Sequence, residues 1–318
     1  MLHRELGGMK IAIIGAGGVG GFLGAMLARA GHSVSLLARG PHLAAIAERG
    51  LQLESRQFGS FNVKPAATDD AGLLGRNDLV FITVKMNDFE DASRAAERAL
   101  ADDGFAITIQ NGIDAPDMLA GIVGKQRTLI GTIAIEASIE APGTIAHTTP
   151  MHVLTLAPFF GAPGEILEKL KATLAETELN VQLAQNGRKA LWDKASLLIP
   201  FATLTSSGDC TLGEIYGIPA LRDTWDALCA EAIAVAGADG YDVRESLANM
   251  RSRFETLAKS SPGFTTSMNR DIRSGRRSEL KWLTEKIVRL GAENGVPVPT
   301  HAALYGILKL KEQRASTG

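Results

Sequence analysis

Lys10-Ile11-Ala12-Ile13-Ile14-Gly15-Ala16-Gly17-Gly18-Val19-Gly20 is the stretch that decides the fold. A short, β-branched run that stops at glycine reads as a buried strand. The stretch from Gly18 to Ala30 has helical composition and ends at Gly31, a residue suited to a helix C-terminus. Between strand and helix the glycines fit G-x-G-x-x-G, and Gly24 follows at helical spacing. Glycine-rich loops have many uses, but this context gives the motif a mechanism. Gly15 permits a tight turn, Gly17 lets the backbone approach a pyrophosphate, and Gly20 lets the helix pack on the strand. Helix N-terminal N–H groups, beginning at Gly18, then meet the phosphate charge. Gly15, Gly17, Gly18 and Gly20 are therefore candidate dinucleotide contacts.

Working outward, Ser33 to Ala38 reads as the second strand, and its end distinguishes the nicotinamide cofactors. An acid there accepts from the ribose 2′-hydroxyl of NAD. The chain instead reads Leu36-Leu37-Ala38-Arg39-Gly40. The planar donor fork of Arg39 suits a 2′-phosphate, so the expected cofactor is NADPH. Lys85, after Phe81-Ile82-Thr83-Val84, and Asn111, after Ile107-Thr108-Ile109-Gln110, fall beyond strand ends, where open parallel sheets bind ligands. A solvated loop lysine and an ordinary Asn-Gly turn are the plain alternatives.

Helical signals at Pro41–Arg49 and Asp88–Ala101 alternate with strand signals at Asp78–Val84 and Phe105–Gln110, which implies a parallel, doubly wound sheet. After Gly131, closely spaced strand-like segments (Thr132–Ile139, Thr144–Thr148, His152–Leu156) suggest antiparallel additions. A helix over Gly164–Thr177 and a last strand at Asn180–Leu183 follow. From Gly187 the pattern is helical, at about 188–206, 219–238, 243–259, 278–294 and 301–312. The expected architecture is α/β: an N-terminal Rossmann-type dinucleotide-binding domain over 1–186 and an all-helical substrate and catalytic domain over 187–318.

Composition agrees with that class. The hydrophobic fraction is 45%, the charged fraction 21% and the aromatic fraction only 5%, which suits a helix-rich α/β protein. The net charge of -2 is spread without a basic stripe, which argues against nucleic acid and anionic membrane as partners. Ile11 to Ala28 lacks charge, but six of its eighteen residues are glycine and Arg29 follows, so a membrane span is rejected. Met1 to Gly8 has no apolar run of a signal peptide, and Met9 is a candidate start. Cys210 and Cys229 form no framework and read as buried thiols in a reducing cytoplasm. The six histidines have no metal spacing, and His147 and His152 read as structural residues flanking a strand connection.

Three residues in the C-terminal half stand out. Lys194 lies on the apolar face traced by Leu191, Ala195 and Leu198. It reads either as a stem covering apolar surface or as a desolvated lysine with a lowered pKa, able to donate a proton. Glu279 reads as opening a helix with core positions Leu280, Leu283, Ile287 and Leu290, and Ser267 as an ordinary N-cap.

These signals converge through a resemblance. The chain resembles the ketopantoate reductase (2-dehydropantoate 2-reductase) family over nearly its whole length. The resemblance rests on the glycine loop with its arginine-ended strand, Gln110-Asn111-Gly112, and Ala141-Pro142-Gly143 followed by His147. It continues in Arg188-Lys189-x-x-Trp192-x-Lys194, Thr266-Ser267-Met268-x-x-Asp271-Ile272 and Gly275-Arg276-x-x-Glu279.

The resemblance implies that Lys194 is the catalytic acid, with Glu279 and Ser267 at the substrate. It places Lys85 and Asn111 near the nicotinamide and ribose. The implied reaction is hydride transfer from NADPH to a small-molecule 2-oxo acid in a site between the domains, closing about residues 185–187. Three positions where the family commonly has asparagine are Leu198, Ala202 and Phe264 here, and Thr284-Glu285 replaces its Asn-Gly. A substrate less polar than ketopantoate is therefore expected. A true 2-dehydropantoate 2-reductase of pantothenate biosynthesis is the alternative, and a non-enzymatic NADPH sensor a third reading, disfavoured by retention of Lys194 with Glu279. The sequence leaves room for a homodimer.

Overall fold

A computed structural model describes residues 8–161 and 164–317, apart from the side chains of Leu247 and 315–317. The reading of Met9 as a start concerns the segment before it, of which residues 1–7 lie outside those described. The chain divides into two compact units. One comprises the chain up to Gln110 with Asp114–Gly187, and the other comprises Asn111–Ile113 with the chain from Arg188 onward.

The first unit is built on the predicted strand–loop–helix: β1 (Lys10–Ile14), α1 (Gly18–Arg29) and β2 (Ser33–Leu37). It continues through α2 (Gly40–Arg49), β3 (Leu51–Ser55), β4 (Gly59–Val63) and β5 (Ala66–Thr68). Then come β6 (Asn77–Ile82), α3 (Phe89–Ala99), β7 (Leu100–Thr108) and α4 (Ala115–Val123). Finally β8 (Thr128–Ala141), β9 (Thr144–Pro158), α5 (Glu165–Ala175) and β10 (Asn180–Leu183) complete it. Strand order is β4-β3-β9-β8-β7-β6-β1-β2-β5, with β10 paired to β9. From β5 to β8 every pairing is parallel. The doubly wound Rossmann fold read from the sequence is thus present. The expected antiparallel addition is the β8–β9 pair. Ile11 and Ile13 of β1, Leu79 and Phe81 of β6 and Ile107 of β7 pack with Phe22, Leu23 and Met26 of α1 in one core.

Two local readings are corrected. The sequence reading assigns no element between Gly50 and Asp78, where β3, β4 and β5 lie. β3 alternates buried and more exposed residues over only five positions, and β4 and β5 are short and exposed or half-buried, so no long periodic or apolar run marks them. The two strands expected around Pro150 are one, β9. Its pairing with β3 stops at His147, that with β10 starts at Val153, and the β8 register shifts opposite. Proline's missing N–H therefore interrupts no ladder. His147 and His152 consequently sit within a single strand. His147 is buried beside Phe22 at 4.7 Å between ring centroids, and its Nδ1 faces Ser55 Oγ at 2.9 Å. Burial lowers its pKa, which agrees with a structural role.

The second unit is helical: α6 (Gly187–Gly208), α7 (Leu212–Gly217), α8 (Pro219–Ala238), α9 (Arg244–Ser260), α10 (Ser267–Arg273), α11 (Thr284–Asn294) and α12 (Pro299–Thr317). Leu197, Phe201 and Leu204 of α6 pack with Trp225, Leu228 and Cys229 of α8. The Glu231 carboxylate accepts from the backbone N–H groups of Thr300 and His301 at 2.7 and 2.9 Å, capping the first turn of α12. The helix expected over 278–294 is broken. Leu280–Trp282 form a 3-10 turn, Leu283 takes φ -112 and ψ -91, and α11 starts only at Thr284. Hydrophobic spacing persists across this break, so the period alone did not reveal it. Among the described residues no helix is long and apolar enough to cross a membrane.

Candidate active site

The glycine loop of the first unit divides its work among its residues. Gly15 has φ +104, and a Cβ there would stand 2.7 Å from Val84 Cγ1. At Gly20 a Cβ would lie 2.1 Å from the Gly15 carbonyl oxygen, and at Gly18 the same distance from that of Ala137. These three glycines allow close packing of loop, helix and sheet. Gly17 differs, because a Cβ there would meet nothing within 4 Å. It is the N-cap of α1 and offers no side-chain cap to the first-turn N–H groups. Open space above uncapped donors is what an anionic pyrophosphate requires.

Two further residues fix this rim. Thr83 Oγ1 donates to the carbonyls of Ile14 and Gly15 at 3.0 and 2.5 Å, tying the end of β6 to the loop. Gln110 Nε2 donates to the carbonyls of Ile82 and Val84 at 2.7 and 3.0 Å. Sequence reasoning gave Thr83 no role; its only signal was its position at a parallel-strand end. Arg39, the N-cap of α2, is exposed at the end of β2, and no hydrogen bond or ion pair engages its guanidinium among the described residues. Lys85 is exposed and opens a 3-10 turn just beyond β6. Arg39 thus stands at the strand end where this kind of sheet holds the ribose of a dinucleotide.

The second unit assembles a different cluster. The half-buried Lys194, in the second turn of α6, donates from Nζ to Asn111 Oδ1 at 2.9 Å. The ammonium is therefore not the snorkelling head of a surface lysine. Burial lowers its pKa to about 8, while the nearby Glu279 carboxylate opposes that fall. Glu279 is only 7% exposed and does not open an α-helix. It precedes the 3-10 turn and faces Lys194 electrostatically. Asn111 is presented by a turn whose Gly112 has φ +90, where a Cβ would approach the Trp282 carbonyl oxygen to 3.0 Å. Lys194, Asn111 and Glu279 are thus brought together.

Among the described residues no hydrogen bond joins Ser267 to that cluster, and its N-cap reading is corrected. The cap of α10 is Thr266, whose side chain accepts from Asn269 N–H at 3.3 Å. Thr266 Oγ1 also lies 3.1 Å from Thr205 Oγ1, tying α10 to α6. This releases the Ser267 hydroxyl, in the first turn, from capping. Leu198 is half-buried one turn beyond Lys194, and Ala202 is buried. Phe264 stacks on Phe201 with ring centroids 5.7 Å apart, so one of its faces belongs to the helical core.

Comparison with known proteins finds family matches in both parts of the chain. Residues 11–160 match the family described as ketopantoate reductase PanE/ApbA, and residues 186–312 its C-terminal family. The 2-dehydropantoate 2-reductase of Halobacterium salinarum is 24% identical, the alignment covering 96% of this chain and 99% of that protein. The crystal structure of a PanE/ApbA family ketopantoate reductase from Ralstonia eutropha JMP134 is 31% identical, with TM-score 0.87, covering 97% and 100% of the two chains. The fold is also that of a D-mandelate dehydrogenase solved with NADH and anilino(oxo)acetate, at 24% identity and TM-score 0.88 over 97% and 100%.

Proposed function

This chain belongs to the ketopantoate reductase family of oxidoreductases acting between CH–OH and C=O groups with a nicotinamide dinucleotide, and from that premise we propose that it reduces a 2-oxo acid with NADPH, Lys194 supplying the proton. The observation that carries the reading is the Lys194–Asn111–Glu279 cluster, a half-buried lysine that donates to Asn111 with the Glu279 carboxylate nearby. NADPH supplies a hydride to the carbonyl carbon when bound. Gly17 and the first turn of α1 hold its pyrophosphate, Arg39 its 2′-phosphate, and Lys85 stands on the same rim.

Lys194 delivers its proton to the oxygen that becomes the hydroxyl. A lysine with pKa about 8 remains protonated at neutral pH but yields its proton more readily than an ordinary lysine near 10.5. Glu279 keeps the ammonium charged until that moment, and Asn111 fixes its direction. The Ser267 hydroxyl, released from capping, binds a polar end of the substrate.

The substrate is a 2-oxo acid with a less polar tail than ketopantoate, because Leu198 and Ala202 offer no side-chain hydrogen bond. The mandelate-type enzyme of the same fold, solved with an aromatic oxo acid analogue, supports that direction. Ketopantoate itself is the second reading, favoured by the curated relatives named 2-dehydropantoate 2-reductase. A panel of 2-oxo acids, followed by loss of NADPH absorbance for the natural protein and Lys194→Ala, tests the proposal. Absence of turnover with every member, or undiminished turnover by Lys194→Ala, would overturn it.

A further inference from the structure

Glu279 and Asn111 come from distant parts of the chain, yet one short turn links their positions. At one end of Ser278–Trp282, the Ser278 hydroxyl donates to the Glu312 carboxylate of α12. The same oxygen accepts from the Leu280 N–H at 3.1 Å. Ser278 is 5% exposed, so loss of its hydroxyl leaves a buried N–H without that acceptor. At the other end, the Trp282 carbonyl faces Gly112 so closely that a Cβ would stand 3.0 Å away. Gly112 also has φ +90, which L side chains rarely adopt. Between these two fixtures sits Glu279, and beside the second sits Asn111.

We propose that Ser278 and Gly112 are positioning residues, which hold Glu279 and Asn111 against Lys194 from the two ends of this one turn. The inference rests on the assignment of the Lys194 cluster as the acid, and neither residue touches the reacting atoms. Ser278 acts through Glu279, and Gly112 through Trp282 and Asn111. Both partners stabilise the ammonium: Glu279 by charge, Asn111 by accepting its N–H. Loosening either end should therefore lower the pH at which Lys194 loses its proton.

The test follows Lys194 itself, by 13Cε-lysine NMR titration of the full chain, with its signal assigned from Lys194→Arg. This readout requires no substrate. Ser278→Ala should move the Lys194 titration down by about 0.5–1 pH unit, toward but not beyond the shift in Glu279→Gln. Ser278→Thr, which keeps the hydroxyl, should restore it. Gly112→Ala should shift it in the same direction, and combining it with Asn111→Ala should add little to Asn111→Ala alone. If Gly112→Ala does not fold, Ser278→Ala and Glu312→Gln decide the matter.

A lowered melting temperature with an unmoved Lys194 titration in Ser278→Ala would reduce Ser278 to ordinary packing and overturn the proposal. The assignment of Lys194 as the acid stands or falls separately, on turnover by Lys194→Ala. If the titration shifts as expected but Lys194→Ala retains turnover, the positioning is real and the acid assignment is wrong.

Discussion

Lys194 and Asn111 are 83 residues apart in sequence, and their side chains meet at 2.9 Å. A hydrogen bond to a charged lysine favours the charged form, whereas burial favours the neutral one. For Lys194, burial, opposed by the nearby Glu279 carboxylate, brings the pKa to about 8. That value makes the direction of the pH dependence explicit. With Lys194 as the proposed acid, reduction needs the ammonium, so turnover in that direction should fall as pH rises past about 8, and the reverse reaction should gain. Glu279→Gln removes a contribution that raises the pKa, so the fall should begin at lower pH. A kcat profile from pH 6 to 10 in both directions checks this, and a shift to higher pH in Glu279→Gln would contradict it.

Lys194→Ala should lower turnover by roughly 10²–10⁴-fold, the range of a lost general acid, with little change in NADPH affinity. Stopped-flow single-turnover rates, together with a cofactor titration by fluorescence, separate the two. Equal losses in both would mean that the lysine shapes the fold rather than the chemistry.

Arg39→Ala should weaken NADPH by about 1.5–3 kcal/mol, the scale of a charge-assisted contact, and leave NADH nearly unchanged. The exposed guanidinium has no partner to lose among the described residues, so protein stability should hardly move. Parallel titrations with the two cofactors distinguish this from a general loss of dinucleotide binding.

Gly17→Ala and Gly20→Ala should behave differently. A Cβ at residue 17 meets no protein atom, so stability should stay within about 0.5 kcal/mol, while dinucleotide affinity falls about tenfold or more. At residue 20 the Cβ would collide with the Gly15 carbonyl, which should destabilise the protein by about 1–3 kcal/mol. Melting curves with and without NADPH read both effects. A Gly17→Ala protein with unaltered affinity would remove the phosphate from this loop.

Acid should destabilise the helical unit through His301. Its Nδ1 lies 2.8 Å from a Glu231 oxygen, and burial holds the folded pKa below the ordinary 6.5. The folded state therefore resists a proton that the unfolded chain accepts below about 6.5. The stability from His301 is complete above that pH and is lost as pH falls toward the folded pKa. Glu231 acts in the same sense at lower pH. Burial alone would raise its pKa, but the N–H groups of His301 and Thr300 outweigh that and lower it. Melting temperature should consequently fall more steeply below pH 6.5 in the natural protein than in His301→Gln; parallel curves would exclude His301 as the cause.

The glycine loop, the parallel strands and the long helices were legible because each carries its signal locally, in period or in punctuation. Lys194 was ambiguous for the opposite reason. Its position on an apolar face fits a surface stem equally well, and the partner that distinguishes the two cases is remote in sequence. Glu279 reads as opening an α-helix because Leu280, Leu283, Ile287 and Leu290 keep helical spacing across a backbone break at Leu283. Ser267 and Thr266 are adjacent potential caps, and only the Asn269 N–H shows which one serves. The short strands β4 and β5 carry too little apolar surface to announce themselves. Thr83 bears no motif at all, since its role depends on the meeting of two strand ends.

The grouping of Asn111–Ile113 with the helical unit, while the chain on either side belongs to the sheet unit, has a consequence for how this protein can be recombined. A single crossover near residue 187 would transplant Lys194 and Glu279 but leave the lysine's hydrogen-bond acceptor with the donor of the other half. A chimera made there would thus inherit the proposed proton donor from one parent and its hydrogen-bond acceptor from the other. Exchanging helical units between relatives should succeed catalytically only when the short 111–113 segment travels with them, as a second, internal graft.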